Sequence, residues 1–157
     1  KKAFEKYLLT TLGNSVFESA LFCLALNVYF EARNEPFDGQ IAVANVVINR
    51  VADPRFPDSV CAVIFQGQKR KRDFFPIRNK CQFSWYCDGK SDQPKNQKSF
   101  HNSALIASKV INGEFPDTTI GATHYHADYI YPDWASSKIK TAKIGRHIFY
   151  KWSDREK

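Results

Sequence analysis

Methionine is absent from the 157-residue chain, and glycine occurs only seven times. No Gly-x-Ser-x-Gly elbow, phosphate-cradling glycine loop or dinucleotide fingerprint can be found in it, which removes the common serine-hydrolase and nucleotide-enzyme readings. No two cysteines are separated by only two residues, so the tight pairs of a four-cysteine zinc site are missing. The longest nearly apolar run, residues 20–30, is well short of the roughly 20 residues that span a bilayer. Repeats and low-complexity segments are missing as well. With Lys1 first and no methionine, the expectation is a chain from which an initiator or leader has been removed.

What is present describes a packed globular protein. Hydrophobic residues make up 43% of the chain and aromatics 15%, enough for one real core. The domain expectation is a single catalytic unit over 1–157, with an N-terminal helix or arm at 1–14, a core over 15–152 and a tail at 153–157. The formal charge of +7 attracts polyanions, whether nucleic acid, an anionic membrane surface or a cell wall, and selects none of them. Four cysteines allow three pairings; Cys81 and Cys87 are close enough to staple a short loop, which suits an oxidising compartment.

Hydrophobic periodicity orders the elements. A first helical face runs from Lys2 to Leu12 and is closed by Gly13-Asn14. A central helix, capped by Ser15 or Ser19, runs to about Arg33. A second comes after Pro36 with Ile41, Ala44, Val47, Ile48 and Val51 inward. A short third is capped by Asp58 or Ser59, and a fourth spans Ser99 to Asn112, closed by Gly113. Residues 67–80 read as a loop carrying Lys69-Arg70-Lys71-Arg72 and Phe74-Phe75. Such a run either grips single-stranded nucleic acid or is simply a solvated face. Gln82 to Tyr86 reads as a strand, as do Thr119 to Ala127 and Ile144 to Trp152. Helices first and strands later predict an α+β domain.

Glu31 stands out. It lies three residues after Val28, beside the stripe of Leu21, Leu24, Ala25, Val28 and Ala32, and Pro36 places it in the last helical turn. Burial and the negative end of the helix dipole both favour its protonated form, as a general acid requires. The alternative is a structural carboxylate tied to Arg33, Arg50 or a backbone donor, and Asn49 or Arg50 is a candidate to orient it. His124 and His126 share one strand face. They could grip a metal if His147 or Asp128 completed the set, or hydrogen-bond a sugar without one. A cysteine–histidine nucleophile lacks any local signature.

Taken in order, VYFEARNEPFDGQIAVANVVINRV, FPDSVCAVIFQ, CQFSW, GATHYHADY, Trp134 and IGRHIFY closely resemble the cell wall hydrolase family typified by spore cortex-lytic enzymes, whose related domains occur in bacterial and phage lysins. The resemblance implies a lysozyme-like fold, with helices in the N-terminal two thirds and a small antiparallel sheet built mainly from the C-terminal third. It implies cleavage of the peptidoglycan glycan strand between N-acetylmuramic acid and N-acetylglucosamine, with formation of a 1,6-anhydro product by a lytic transglycosylase. The family's catalytic glutamate falls on Glu31. By motif position, Gln82, Ser84, Trp85, Tyr125, His126 and Tyr29 would contact the sugars. No metal and no cofactor is implied.

The expected partner is the glycan strand rather than nucleic acid, the expected state a monomer, and the expected location the cell wall or periplasm, reached by secretion, export or phage delivery. Hydrolysis by a muramidase or glucosaminidase, and a noncatalytic basic cell-wall or nucleic-acid binding domain, are the alternatives. Hydrolysis would want a second carboxylate, for which Glu35 and Asp38 are available; Glu35 is expected to pair with Arg33 or cap the turn. Two departures from the family pattern are Asn34, where glycine is common, and the basic insertion at Lys69 to Lys80.

Overall fold

A computed structural model describes residues 12–156, with side chains from Ser19 onward; the helix read over Lys2 to Leu12 lies outside these residues but for its last. The central helix, α1, spans Leu12–Ala32. It starts earlier than its serines suggest and runs through Gly13-Asn14 without a break. The turn preference of those two residues, worth about 1 kcal/mol, does not outweigh a long packed helix.

Every residue of α1 from Cys23 to Tyr29 is buried, so this stretch of the helix is enclosed on all sides rather than on one stripe. Helices α2 (Phe37–Ala52), α3 (Val60–Ile64) and α4 (Gln97–Ile111) surround it. Ser59 caps α3 by accepting from the Ala62 amide, and Asn96 caps α4 by accepting from that of Ser99. Leu24, Val28, Val47, Val63, Ile64 and Ala107 form the main core at or near zero exposure. Buried Asn27 accepts a hydrogen bond from Trp85 Nε1 at 2.9 Å and so fixes the indole against α1.

Strands β1 (Gly67–Lys69) and β2 (Pro76–Cys81) form an antiparallel hairpin where the sequence reads as a loop. Its strands are largely exposed, so no apolar alternation marks them. Ser84–Cys87 is a 3-10 turn rather than a strand, held to β2 by the Cys81–Cys87 disulfide; Cys23–Cys61 joins α1 to α3. Phe83 and Trp85 still point inward together.

The C-terminal sheet has the order β3 (His124–Ala127), β5 (His147–Lys151), β4 (Ile139–Ile144), all antiparallel. Residues 119–123, expected to extend β3, form an irregular loop instead. Asp117 shapes that loop by accepting from the Thr119 and Gly121 amides, and Asn49 of α2 pins it to Ala122 O at 2.9 Å. One face of the sheet, with Tyr125, Phe149, Ala142 and Ile144, packs on Ala42 and Val46 of α2. Helix α2 is therefore buried on two sides, between the bundle and the sheet. Helices mostly N-terminal with small antiparallel sheets make this an α+β fold.

Candidate active site

The last turn of α1 lifts Glu31 out of the core into a depression of about 320 Å³, lined also by Phe30, Arg33, Glu35, Ala127, Tyr129 and His147. Burial pushes the Glu31 pKa up from 4.5 to about 7; the Tyr125 hydroxyl and the Arg50 guanidinium pull in the opposite direction without cancelling it. The carboxyl is therefore poised between acid and base near neutrality.

Both opposing groups are held by buried contacts. Arg50, only 3% exposed, donates through Nε to Thr123 O at 2.7 Å and lies over the rings of Phe56 and Phe83 at 5.0 and 5.2 Å. Its Nη1 is buried without a hydrogen-bond partner. The Tyr125 hydroxyl is likewise buried and lies beside Glu31, whose carboxylate form it favours. Burial, and after it the Glu31 charge, raises the Tyr125 pKa well above its ordinary value, so the phenol stays protonated and can donate to the carboxylate form.

Glu35 shares the depression but is occupied. It accepts from the Arg146 amide at 3.1 and 3.4 Å, and its Oε1 sits 3.2 Å from His147 Nδ1. Gly145, at φ +59 in the β4–β5 turn, fits against it: a Cβ there would stand 3.0 Å from Glu35 Oε2. The expected pairing of Glu35 with Arg33 does not form. Arg33 instead donates to Tyr29 O at 3.1 Å and lies 4.7 Å over the Tyr29 ring. Asp38 is exposed in the first turn of α2.

A second compartment of about 570 Å³ meets the first at Phe30 and Arg33 and is lined by Tyr29, Ser84, Trp85 and Gln93 among others. Together the two make a groove with Glu31 in one half. Of the residues named from motif position, Tyr125 lies against Glu31, while Tyr29, Ser84 and Trp85 line the adjoining half. Both aromatics of that half are largely buried: Trp85 stacks on Phe30 at 4.8 Å, and the Tyr29 hydroxyl accepts from the Asn96 amide at 3.1 Å.

Gln82 lies elsewhere, in a shallow depression with Gln66, Gly67 and Lys80. His126 comes one residue after Tyr125 and so points to the opposite face of the sheet. There Nε2 meets Tyr150 Oη at 2.9 Å, and the ring packs beside Trp134. His124 shares that face, among Phe56, Trp134 and Trp152; burial, then the charges of Arg50 and Lys138, holds its pKa down to about 4. His147 lies on the other face, beside Tyr125 and Glu35, so it does not complete a set with them. Among the described residues no cluster of three His, Cys, Asp or Glu side chains is arranged to hold a metal.

Tyr129, 72% exposed, and Arg146 line the groove; both fall inside the family blocks GATHYHADY and IGRHIFY, but motif position singles out neither as a site residue.

The family model for cell wall hydrolases matches residues 34–150, opening just past Glu31. The chain belongs to the cell wall hydrolase family. Among members of this family, the spore cortex-lytic enzyme of Halalkalibacterium halodurans is 35% identical over 127 residues, 80% of this chain and 33% of that enzyme. That of Bacillus subtilis is 32% identical over 126 residues, 80% of this chain and 35% of the enzyme. The chain thus spans about a third of the length of these two relatives. In three dimensions it is similar to the catalytic domain of the germination-specific lytic transglycosylase SleB from Bacillus anthracis, with a TM-score of 0.63, 32% identity, and coverage of 84% of this chain and 93% of that domain. The catalytic domain of Bacillus cereus SleB gives a TM-score of 0.61 at 30% identity, covering 85% and 91%. This cell wall hydrolase therefore has the SleB catalytic-domain fold.

Proposed function

We propose that this chain degrades peptidoglycan, cleaving the glycan strand between N-acetylmuramic acid and N-acetylglucosamine as a lytic transglycosylase, at the cell wall and as a monomer. The observation that carries the reading is Glu31: an acid at the end of a buried helix, held near pKa 7, opening into a depression that adjoins a second, larger one. Membership of the cell wall hydrolase family and the likeness to a lytic transglycosylase domain support the substrate and the reaction.

In the proposed reaction, protonated Glu31 gives its proton to the glycosidic oxygen as the bond to muramoyl C1 breaks. Positive charge develops at C1 and the ring oxygen, beside a carboxylate that now accepts from the Tyr125 hydroxyl and faces the Arg50 charge. The muramoyl C6 hydroxyl attacks C1, and Glu31 takes the hydroxyl proton. A 1,6-anhydro ring closes and the acid is restored. No water is consumed and no second carboxylate is needed, which agrees with Glu35 being engaged by the Arg146 amide and His147. Ser84, with Tyr29 and Trp85 behind it, would line the sugar site in the adjoining compartment, and exposed Tyr129 offers a face to a pyranose on the Glu31 side.

Purified protein should release 1,6-anhydromuropeptides from sacculi, read by mass spectrometry, and Glu31→Gln should abolish release while leaving the circular dichroism spectrum unchanged. Reducing-end muropeptides would replace the C6 hydroxyl by water as the nucleophile. No release from any sacculus would refute the enzyme.

A further inference from the structure

The basic segment at residues 69–80 plays no part in the groove chemistry. It is the β1–β2 hairpin, whose connection presents consecutive Phe74 at 74% and Phe75 at 62% exposure, the Arg70 guanidinium lying 5.4 Å over the Phe75 ring. The tip is well ordered internally: the Arg70 amide donates to Phe75 O at 2.8 Å and the Phe74 amide to Arg70 O at 2.9 Å. Asp73 accepts from Arg70 at 2.7 and 3.0 Å and from the Phe75 amide at 3.1 Å. At the base, the Cys81–Cys87 disulfide ties the hairpin to the 3-10 turn.

Two features of this tip are unexplained by folding. Phe74 has φ +60, a conformation that disfavours a bulky side chain and that glycine or asparagine would adopt more readily, yet its ring is returned no burial. Lys69 and Lys71, close to the tip in sequence, are exposed and make no ion pair among the described residues, and only Asp73 offsets Arg70 and Arg72; exposed Arg78 and Lys80 lie nearer the base of the hairpin, Arg78 against Gly89. Cations alone would suit any polyanion. Adjacent, unburied phenyl rings carried among cations suit a surface that is anionic outside and apolar just beneath, where the rings gain burial as the ammonium and guanidinium groups meet phosphates.

We propose that the β1–β2 hairpin is a docking tip for an anionic phospholipid bilayer, with Phe74 and Phe75 entering the interface and Lys69, Lys71 and Arg72 engaging headgroup phosphates. This does not depend on the reaction proposed for Glu31. It would hold the domain at the membrane face of its substrate polymer.

The test is cosedimentation of the whole protein with vesicles of phosphatidylglycerol mixed with phosphatidylcholine, against phosphatidylcholine alone, and with a soluble polyphosphate as a second ligand. Binding to the anionic vesicles is expected, weakened about tenfold by Phe74→Gly with Phe75→Ser, and weakened on the order of tenfold by Lys71→Gln with Arg72→Gln or by raised salt. Phe74→Gly also relieves the left-handed residue, so its melting temperature should hold or rise, which separates lost docking from lost folding. Vesicle binding that survives loss of both phenylalanines but not of the basic residues would refute the bilayer and leave a polyanion site. Absence of binding to anionic vesicles would refute it outright.

Discussion

If burial holds Glu31 near pKa 7, the same burial must tax the folded state whenever Glu31 ionises, and Glu31→Gln removes that cost. The carboxyl titrates at about 4.5 in an open chain and at about 7 in the native fold. One pKa unit corresponds to about 1.4 kcal/mol, so the difference amounts to about 3 kcal/mol. The native state binds the proton more tightly than the unfolded state. The stabilisation is therefore complete below the unfolded pKa and is lost as pH rises through 4.5 and past about 7. Glutamine does not titrate, and every other group is common to both proteins. Relative to wild type, Glu31→Gln should gain about 3 kcal/mol of stability between about pH 4 and about pH 8.5, or on the order of 10 °C in Tm for a domain of this size. Urea unfolding at a series of pH values, monitored by circular dichroism, measures the difference directly. Parallel stability curves across that range would show that Glu31 is not a raised acid, and the general-acid assignment would fall with them.

The same environment governs activity: release from sacculi should decline as pH rises past about 7, because the acid loses its proton, and Tyr125→Phe should move that limb to higher pH by removing a donor to the carboxylate form. Gly145→Ala should destabilise by about 1 to 2 kcal/mol, since alanine is strained at positive φ and its Cβ meets Glu35; thermal denaturation reads it. Asn27→Leu should cost about 1 to 3 kcal/mol, because the Trp85 indole N–H loses its buried acceptor, and the tryptophan fluorescence should shift with it. Breaking Cys23–Cys61 by serine substitution should lower stability by about 4 kcal/mol, the chain entropy of a loop with a sequence separation of 38, measured by urea titration.

How much of the fold is legible in the sequence depends on whether the signal is local. Helices α2, α3 and α4 are legible because each carries an apolar stripe and a stop or cap: Asp53-Pro54 after α2, Ser59 before α3, and Gly113 after α4. Strand β4 is not, because Ile-Lys-Thr-Ala-Lys-Ile at a sheet edge sets lysines among its apolar residues and includes a register shift. The hairpin is hidden for the related reason that its strands bury almost nothing.

Helical spacing and Pro36, which act within one turn, are enough to single out Glu31 as a carboxylate beside the core, as an acid or as a structural group; the family motif is what favours the acid. Arg50 is visible as a candidate partner, but its anchor, Thr123 O, is distant in sequence. Strand alternation also separates neighbours that a motif sets side by side: Tyr125 faces the acid, whereas His126 faces Tyr150. Phe30 enters the groove on α1 beside Glu31, whereas Tyr129 and Arg146 come to it through loop geometry and tertiary contact, for which no periodicity exists.

Because α1 is enclosed on every side from Cys23 to Tyr29, the aim of Glu31 is a matter of phase. Each residue added to or removed from a helix rotates all later residues by about 100° and moves them about 1.5 Å. A single deletion between Asn27 and Glu31 would keep the indole seated on its amide while swinging the carboxyl away from Tyr125 and into the packing of its neighbours. Exposed connections such as the hairpin tip can lengthen or shorten without disturbing the acid. The segment from Cys23 to Glu31 cannot, and insertions and deletions in homologous chains should skip it.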